Sequence, residues 1–205
     1  MSDTEAVAAP SPVRGGGRAV ATRAALLGAA QQVFTGAGFT EANVADVVAR
    51  AGASVGSLYH HFGGKADLYL ALFEDYQSRQ EGRAAAEVRR ARLAGETDPI
   101  ALFIAGSRGY LAGCWAERDL ARLFLAGGGP PGFELVARRR YRDWTARNAY
   151  LLRPEQQPLG DTLVLVLTTV VGEAGHEVAI QESEAAAGRL ADEVLELISR
   201  IGTPR

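Results

Sequence analysis

One cysteine, one methionine, one lysine and three histidines are all that 205 residues offer of those types. The lone Cys114 excludes an intrachain disulfide and fits a reducing compartment; as a side chain it reads as a small buried apolar group. No uninterrupted apolar run approaches the roughly 20 residues that span a bilayer, and no charged-then-apolar segment opens the chain. The expectation is a cytoplasmic protein with no membrane partner. No HExxH, GxSxG, phosphate-binding loop or Cys/His cluster occurs, and His60-His61 are adjacent, about 100° apart on a helix, without the i, i+4 geometry of a metal pair. The sequence therefore predicts no enzyme, no cofactor and no metal site.

What is present is helical. Nearly half the residues are hydrophobic (47%), enough to bury a substantial core. Apolar spacing predicts helices from about Ala19 to Ala37, from Lys65 to about Ala94, and over Ile100 to Ala116, Glu117 to Leu125, Phe133 to Leu152, Asp161 to Glu182 and Ala185 to Ile201. Glycine and proline mark the breaks: Gly95 to Pro99, Gly127 to Pro131, Arg153-Pro154 and Pro158 to Gly160. Asp98 is placed to cap and Pro99 to open the next helix. TLVLVLTTVV is β-rich by propensity, but its length and neighbours favour a buried helix. The fold expected is all-α. The first eighteen residues, rich in Ala, Pro, Gly and Ser and without an apolar period, read as a disordered tail.

Between Ala24 and Leu72 two short helices are hinged at a glycine. Val44, Val47, Val48 and Ala51 form one apolar stripe, Asn43 stands ready as its N-cap, and Gly52 ends the helix. Ser54 is positioned to cap a second helix, Val55 to Phe62, on which Leu58 and Phe62 point inward. Its opposite face carries Val55, Gly56, Tyr59 and His60, with Ser57 beside them. Gly56 weakens an exposed helix by roughly 1 kcal/mol relative to alanine, so its presence suggests close approach of the backbone to another surface. From Ser11 to Lys65, Arg14, Arg18, Arg23, Arg50 and Lys65 stand against Glu41 and Asp46, while the whole chain has a formal net charge of −2. A basic head on an acidic body suits a nucleic-acid reader whose affinity falls with salt. The chain's one lysine, Lys65, follows Gly63-Gly64 at a helix N-terminus, a corner that favours an anion.

Gly38-Phe39, Ala51-Gly52, Ser54, Gly56, Leu58-Tyr59, His61-Phe62 and Lys65 together make this segment resemble the DNA-binding domain of the tetracycline-repressor (TetR) family of bacterial regulators. Val48 departs from that pattern towards larger volume and Ala53 towards smaller, changes that can compensate in packing. Val55 replaces a frequently polar residue and offers an apolar contact, such as to a thymine methyl. The resemblance implies that Val55, Gly56 and Tyr59 face bases of a double-stranded operator and that Ser54, Tyr59, His60, His61 and Lys65 hold phosphates, with Asn43 and Ser57 at the same surface. It implies a DNA-binding domain over 19–64 and a helical ligand-binding and dimerisation domain over 65–205.

Within the second domain, Leu163, Leu167, Val170 and Val171 on one helix and Leu190, Val194, Leu197 and Ile201 on the next form near-heptad stripes, which the resemblance assigns to a homodimer interface. Packing within one subunit would produce the same stripes. A two-fold pair would read half-sites about 34 to 36 Å apart. The resemblance also implies a pocket for a small, hydrophobic effector, for which Phe103, Tyr110, Trp115, Phe124, Tyr141 and Trp144 are the aromatic candidates. His176, between Glu173 and Glu177, reads as part of an exposed polar cluster, with contact to a ligand or a partner subunit as the alternative. The implied function is a ligand-released repressor. The alternative is a helical small-molecule-binding or scaffolding protein without sequence-specific DNA binding.

Overall fold

The computed structural model describes residues 15–125, 128–153, 155 and 160–202. These residues form nine α-helices and no strand: α1 (Gly15–Glu41), α2 (Val44–Ala51), α3 (Val55–Phe62), α4 (Lys65–Leu93), α5 (Pro99–Ala116), α6 (Arg118–Leu125), α7 (Phe133–Leu152), α8 (Gly160–Ile180) and α9 (Glu184–Gly202). Every helix expected between Lys65 and Ile201 is present, with ends shifted by a residue or two, as fraying termini allow. The first helix starts earlier than expected. Gly15 to Arg18 are helical rather than part of a tail, because an Ala-rich run can propagate helix back through glycines once α1 is anchored by packing. The rest of the expected tail, including Arg14, lies outside the described residues. Within α1, Gly38 at φ 71° breaks the helix and turns the chain to present Phe39.

Two hydrophobic cores organise the chain. The first joins Leu26, Phe34, Val47, Leu58 and Phe62 of α1 to α3 with Leu68, Tyr69, Leu72 and Phe73 of α4, Phe124 of α6 and Phe133 of α7. Tyr69 is its hub. Its ring meets Phe34, Phe39, Phe124 and Phe133 edge-on at centroid distances of 5.2–5.3 Å, the offset geometry aromatic quadrupoles prefer. Burial pushes its hydroxyl up to about 12. The second core packs Phe103, Leu111 and Cys114 of α5 with Leu152 of α7, Leu163, Leu167 and Val171 of α8, and Leu195 and Ile198 of α9. By length and composition α8 is apolar enough to cross a bilayer, although polar residues interrupt its apolar run; half of that stretch is buried inside the chain, which accounts for its character.

α4 and α5 pack against each other most closely, and glycine is the reason. A Cβ on Gly109 would lie 2.8 Å from the Arg83 carbonyl oxygen, and one on Gly106 would lie 3.0 Å from Val88 Cγ2. Between the cores lies a polar layer. Glu117, at the α5 C-terminus, accepts from Arg79 Nε at 2.7 Å, from Gln80 Nε2 at 3.2 Å and from Arg83. Beside it Tyr76 donates to Cys114 Sγ at 3.9 Å. Burial is the largest influence on the Cys114 thiol, pushing it up to about 11.

Replacing Gly109 by alanine should destabilise the fold by about 1–3 kcal/mol, because backbone rather than a flexible side chain blocks the new methyl. Gly82→Ala, on the same pair of helices but with open space around it, should be neutral or stabilising by up to about 1 kcal/mol. Denaturant melts of the two variants measure the contrast; equal losses would refute the close-packing argument. Cys114 should resist alkylation in the native protein at about pH 8 and react on unfolding. The folded thiol stays protonated where the unfolded one ionises, so its contribution to stability is complete below the ordinary thiol value and is lost as pH rises towards about 11. Tracking reagent uptake against pH checks the direction.

Candidate nucleic-acid interface and ligand cavity

The turn between α2 and α3 is built as the sequence indicates. Asn43 Oδ1 accepts from Ala45 N at 2.9 Å to cap α2. Gly52 closes that helix at φ 60°, and the Ala53 amide reaches back to the Val48 carbonyl at 3.0 Å. Val48 and Ala53, the two departures in volume, pack against the same core. Ser54 Oγ then accepts from Ser57 N at 3.1 Å and starts α3. Leu58 and Phe62 anchor α3 inward.

The outward face of α3 collects Val55, Gly56, Tyr59 and His60, all exposed, with Val55 at 48% and Tyr59 at 54% of full exposure. A methyl on Gly56 would find only Ser54 Oγ, at 3.8 Å. Nothing in the chain itself demands glycine there. His61 and Ser57 are half-buried, and the Ser57 hydroxyl accepts from Ser54 Oγ at 3.2 Å, so both stand at the margin of this face. Around it Arg23 lies over the Phe62 ring at 5.0 Å and Arg50 reaches Gln32 at 3.5 Å.

Lys65, expected to hold a phosphate, also makes a contact within the chain. Its Nζ donates to the Thr40 carbonyl at 2.9 Å and sits 4.8 Å over the Phe39 ring, because the Gly38 turn brings that carbonyl to the start of α4. One donor is thereby spent on holding α1 to α4, leaving the others to the surface. Tyr59 leans against Gly64, whose added Cβ would be 3.6 Å from the ring.

A second site opens in the body. α4, α5, α7 and α8 enclose a cavity of about 1260 Å³. Phe103, Tyr110, Tyr141 and Trp144 line it, as four of the six expected aromatics. Phe124 and Trp115 do not. Phe124 packs into the first core against Tyr69 and Phe73, and Trp115 lies under the Arg118 guanidinium at 4.5 Å. The Tyr110 and Trp144 rings, 5.2 Å apart, press on the glycines of α8, where a Cβ on Gly175 would be 2.7 Å from Tyr110 and one on Gly172 3.3 Å from Trp144. Tyr141 shares a 2.8 Å hydrogen bond with Thr169.

His176 also differs from expectation. It is half-buried in the cavity wall, with Nδ1 buried and unpartnered among the described residues. Sequence reasoning missed Gln80, Ser107, Arg140 and Asn148, which line the same cavity. A polar residue recurring on the inward stripe of Tyr69, Phe73 and Tyr76 was the available signal for Gln80. The two α7 residues Arg140 and Arg147 both meet Glu81 of α4, and Arg140 also binds Glu74. The hydrogen bond that Arg140 donates to Glu74 is the main reason its guanidinium is pushed up from its ordinary value.

The expected dimer stripe needs correction too. Leu163, Leu167 and Val171 are buried in their own subunit's second core, and Val170, Leu190 and Val194 are partly buried against it. Leu163, Leu167 and Val171 therefore cannot form the outer surface. The apolar side chains that α8 and α9 leave exposed are Leu165, Val166, Ile180, Leu197 and Ile201.

With this geometry in place, comparison with known proteins becomes informative. Residues 26–72 match the model for bacterial regulatory proteins of the tetR family. The N-terminal head is a tetR-family domain. The matched stretch runs from Leu26 of α1 to Leu72 of α4, so the tetR-family unit includes the α4 turn that carries Tyr69. Among curated proteins none matches the sequence. Similar solved structures include the fatty acid degradation regulator FadR from Bacillus halodurans, at 19% identity over 89% of this chain and 99% of that one, with a TM-score of 0.68. A TetR-family transcriptional regulator from Pectobacterium atrosepticum is similar at 21% identity, over 94% and 100% of the two chains, with a TM-score of 0.64. A transcriptional regulator from Aquifex aeolicus gives 19%, 88%, 99% and 0.67. At these identities the likeness establishes that the body shares their all-α fold.

Gly56→Ala should leave the thermal midpoint unchanged or raise it, since the chain has room for the methyl and alanine favours helix. If α3 approaches DNA as closely as its bare backbone permits, the same variant should lose about tenfold or more in duplex affinity. A drop in stability together with affinity would mean that the glycine serves the fold instead.

Proposed function

We propose that this protein is a ligand-responsive, DNA-binding transcriptional regulator that acts as a repressor in the bacterial cytoplasm and has no catalytic role. The observation that carries the reading is the outward face of α3. Val55, Gly56, Tyr59 and His60 stand exposed on a rigidly capped helix of a tetR-family domain, with no duty inside the chain.

α3 would enter the major groove, where Tyr59 and Val55 meet base edges and the methyl of thymine, and Ser54, His60, His61 and the remaining Lys65 donors meet phosphates. One eight-residue helix reads few bases, so the working unit is a homodimer on an inverted repeat. Exposed Leu165, Val166, Leu197 and Ile201 are the surface proposed to pair, next to Val194 and Leu190. The cavity would hold the effector. Because α4 lines the cavity with its C-terminal half and packs into the first core with its N-terminal half, an effector that prefers one α4 position over another changes the spacing of the two α3 helices. Only that difference in affinity releases DNA.

Selection from a random duplex pool tests the reading. The wild-type protein should enrich an inverted repeat, and Tyr59→Ala and His60→Ala should each weaken binding to it while keeping the thermal midpoint. Absence of enrichment even at low salt would overturn the proposal in favour of a helical binding protein that does not read DNA.

A further inference from the structure

Resting on the reading of the cavity as an effector site, we infer that it takes an uncharged, ring-bearing molecule with a hydrogen-bond-donating group, a hydroxyl or N–H, held between Ser107 of α5 and Asn148 of α7. The argument starts from where charge lies. Arg140, the most buried arginine of the wall, already binds Glu74 and Glu81, and Arg147 binds Glu81. Arg89, Arg92 and Glu173 stand exposed in solvent. Among the wall's described residues each buried guanidinium or carboxylate has an ion-pair partner, and Arg140 keeps one buried N–H, on Nε, without an acceptor. A charged ligand group carried inside would lose its hydration without gaining a free counterion, a cost that neutral groups avoid.

Gln80 Oε1 and His176 Nδ1 are also buried without a partner among the described residues, and two further buried polar side chains of the wall are neutral. Ser107 is 5% exposed, and its hydroxyl has no hydrogen-bond partner among the described residues. Asn148, at 9%, donates through Nδ2 to Thr168 Oγ1 at 3.0 Å. That bond fixes the amide's orientation and leaves Oδ1 as an acceptor. A serine hydroxyl can accept as well, so the pair calls for a donor. Phe103 and Tyr110 lie on the Ser107 face of α5, and Trp144 on the Asn148 face of α7, one helical turn away on each. Rings therefore flank the polar pair on both helices. An aromatic body stacked on Tyr110 and Trp144 while its donor meets Asn148 would satisfy both kinds of wall.

Calorimetric titration of the full chain with naphthalene, naphthol and naphthoate separates the terms, because the three share one ring system and differ in carrying no polar group, a donor and an anion. Naphthol should bind about tenfold more tightly than naphthalene, the worth of one good hydrogen bond, with naphthoate weakest. Ser107→Ala and Asn148→Ala should each erode that margin and leave naphthalene affinity in place; the milder serine variant guards against loss of folding in the other. Tightest binding of naphthoate, a margin untouched in both variants, or no binding by any of the three up to their solubility would overturn the inference. The duplex selection is independent. Preference for naphthol without an enriched repeat would sink the regulator and keep the ligand class, and an enriched repeat with preference for naphthoate would do the reverse.

Discussion

The Tyr69 ring is the joint on which the architecture depends. It touches Phe34 and Phe39 from the head and Phe124 and Phe133 from the body, so one side chain of α4 ties α1 of the head to α6 and α7 of the body. Its hydroxyl reaches the Leu123 carbonyl at 3.4 Å, which keeps a polar tip from being stranded in an apolar cluster. The Lys65–Thr40 contact and the Gly38 turn reinforce the same joint from the surface. Orientation of α3 relative to the body is therefore set by packing rather than by a flexible linker.

Below that joint, glycine shapes the body. Gly106 and Gly109 let α4 lie against α5, while Gly172 and Gly175 let Trp144 and Tyr110 lie against α8. Close approach in the first case and recessed rings in the second leave open volume between the four helices without loosening their backbone contacts. Neighbouring ion pairs from α7 to Glu74 and Glu81 hold α4 from its other side. The cavity is thus lined by the same helix that carries the joint.

Local rules made much of this visible in the sequence. Caps at Asn43, Ser54 and Asp98, each confirmed by a hydrogen bond to its own helix, depend on contacts only two or three residues apart. The inward stripe of α2 and the exposed face of α3 follow from helical periodicity alone. What escaped was tertiary. Phe124 and Trp144 look alike as aromatics in amphipathic helices, yet one fills a core and the other a cavity wall, a distinction set by which helix lies opposite. Leu163 and Leu197 likewise share a spacing pattern and differ in which side faces the subunit. The Lys65–Thr40 contact was not legible because the Gly38 turn, not the residues beside the lysine, delivers the partner.

The polar cluster of Gln80, Glu117, Arg79 and Arg83 sits where Tyr76 of the first core meets Cys114 of the second. The family model matches residues 26–72, whereas the body resembles its counterparts in shape. An interior of two cores lets one half of a chain drift towards new chemistry while the other half keeps its address.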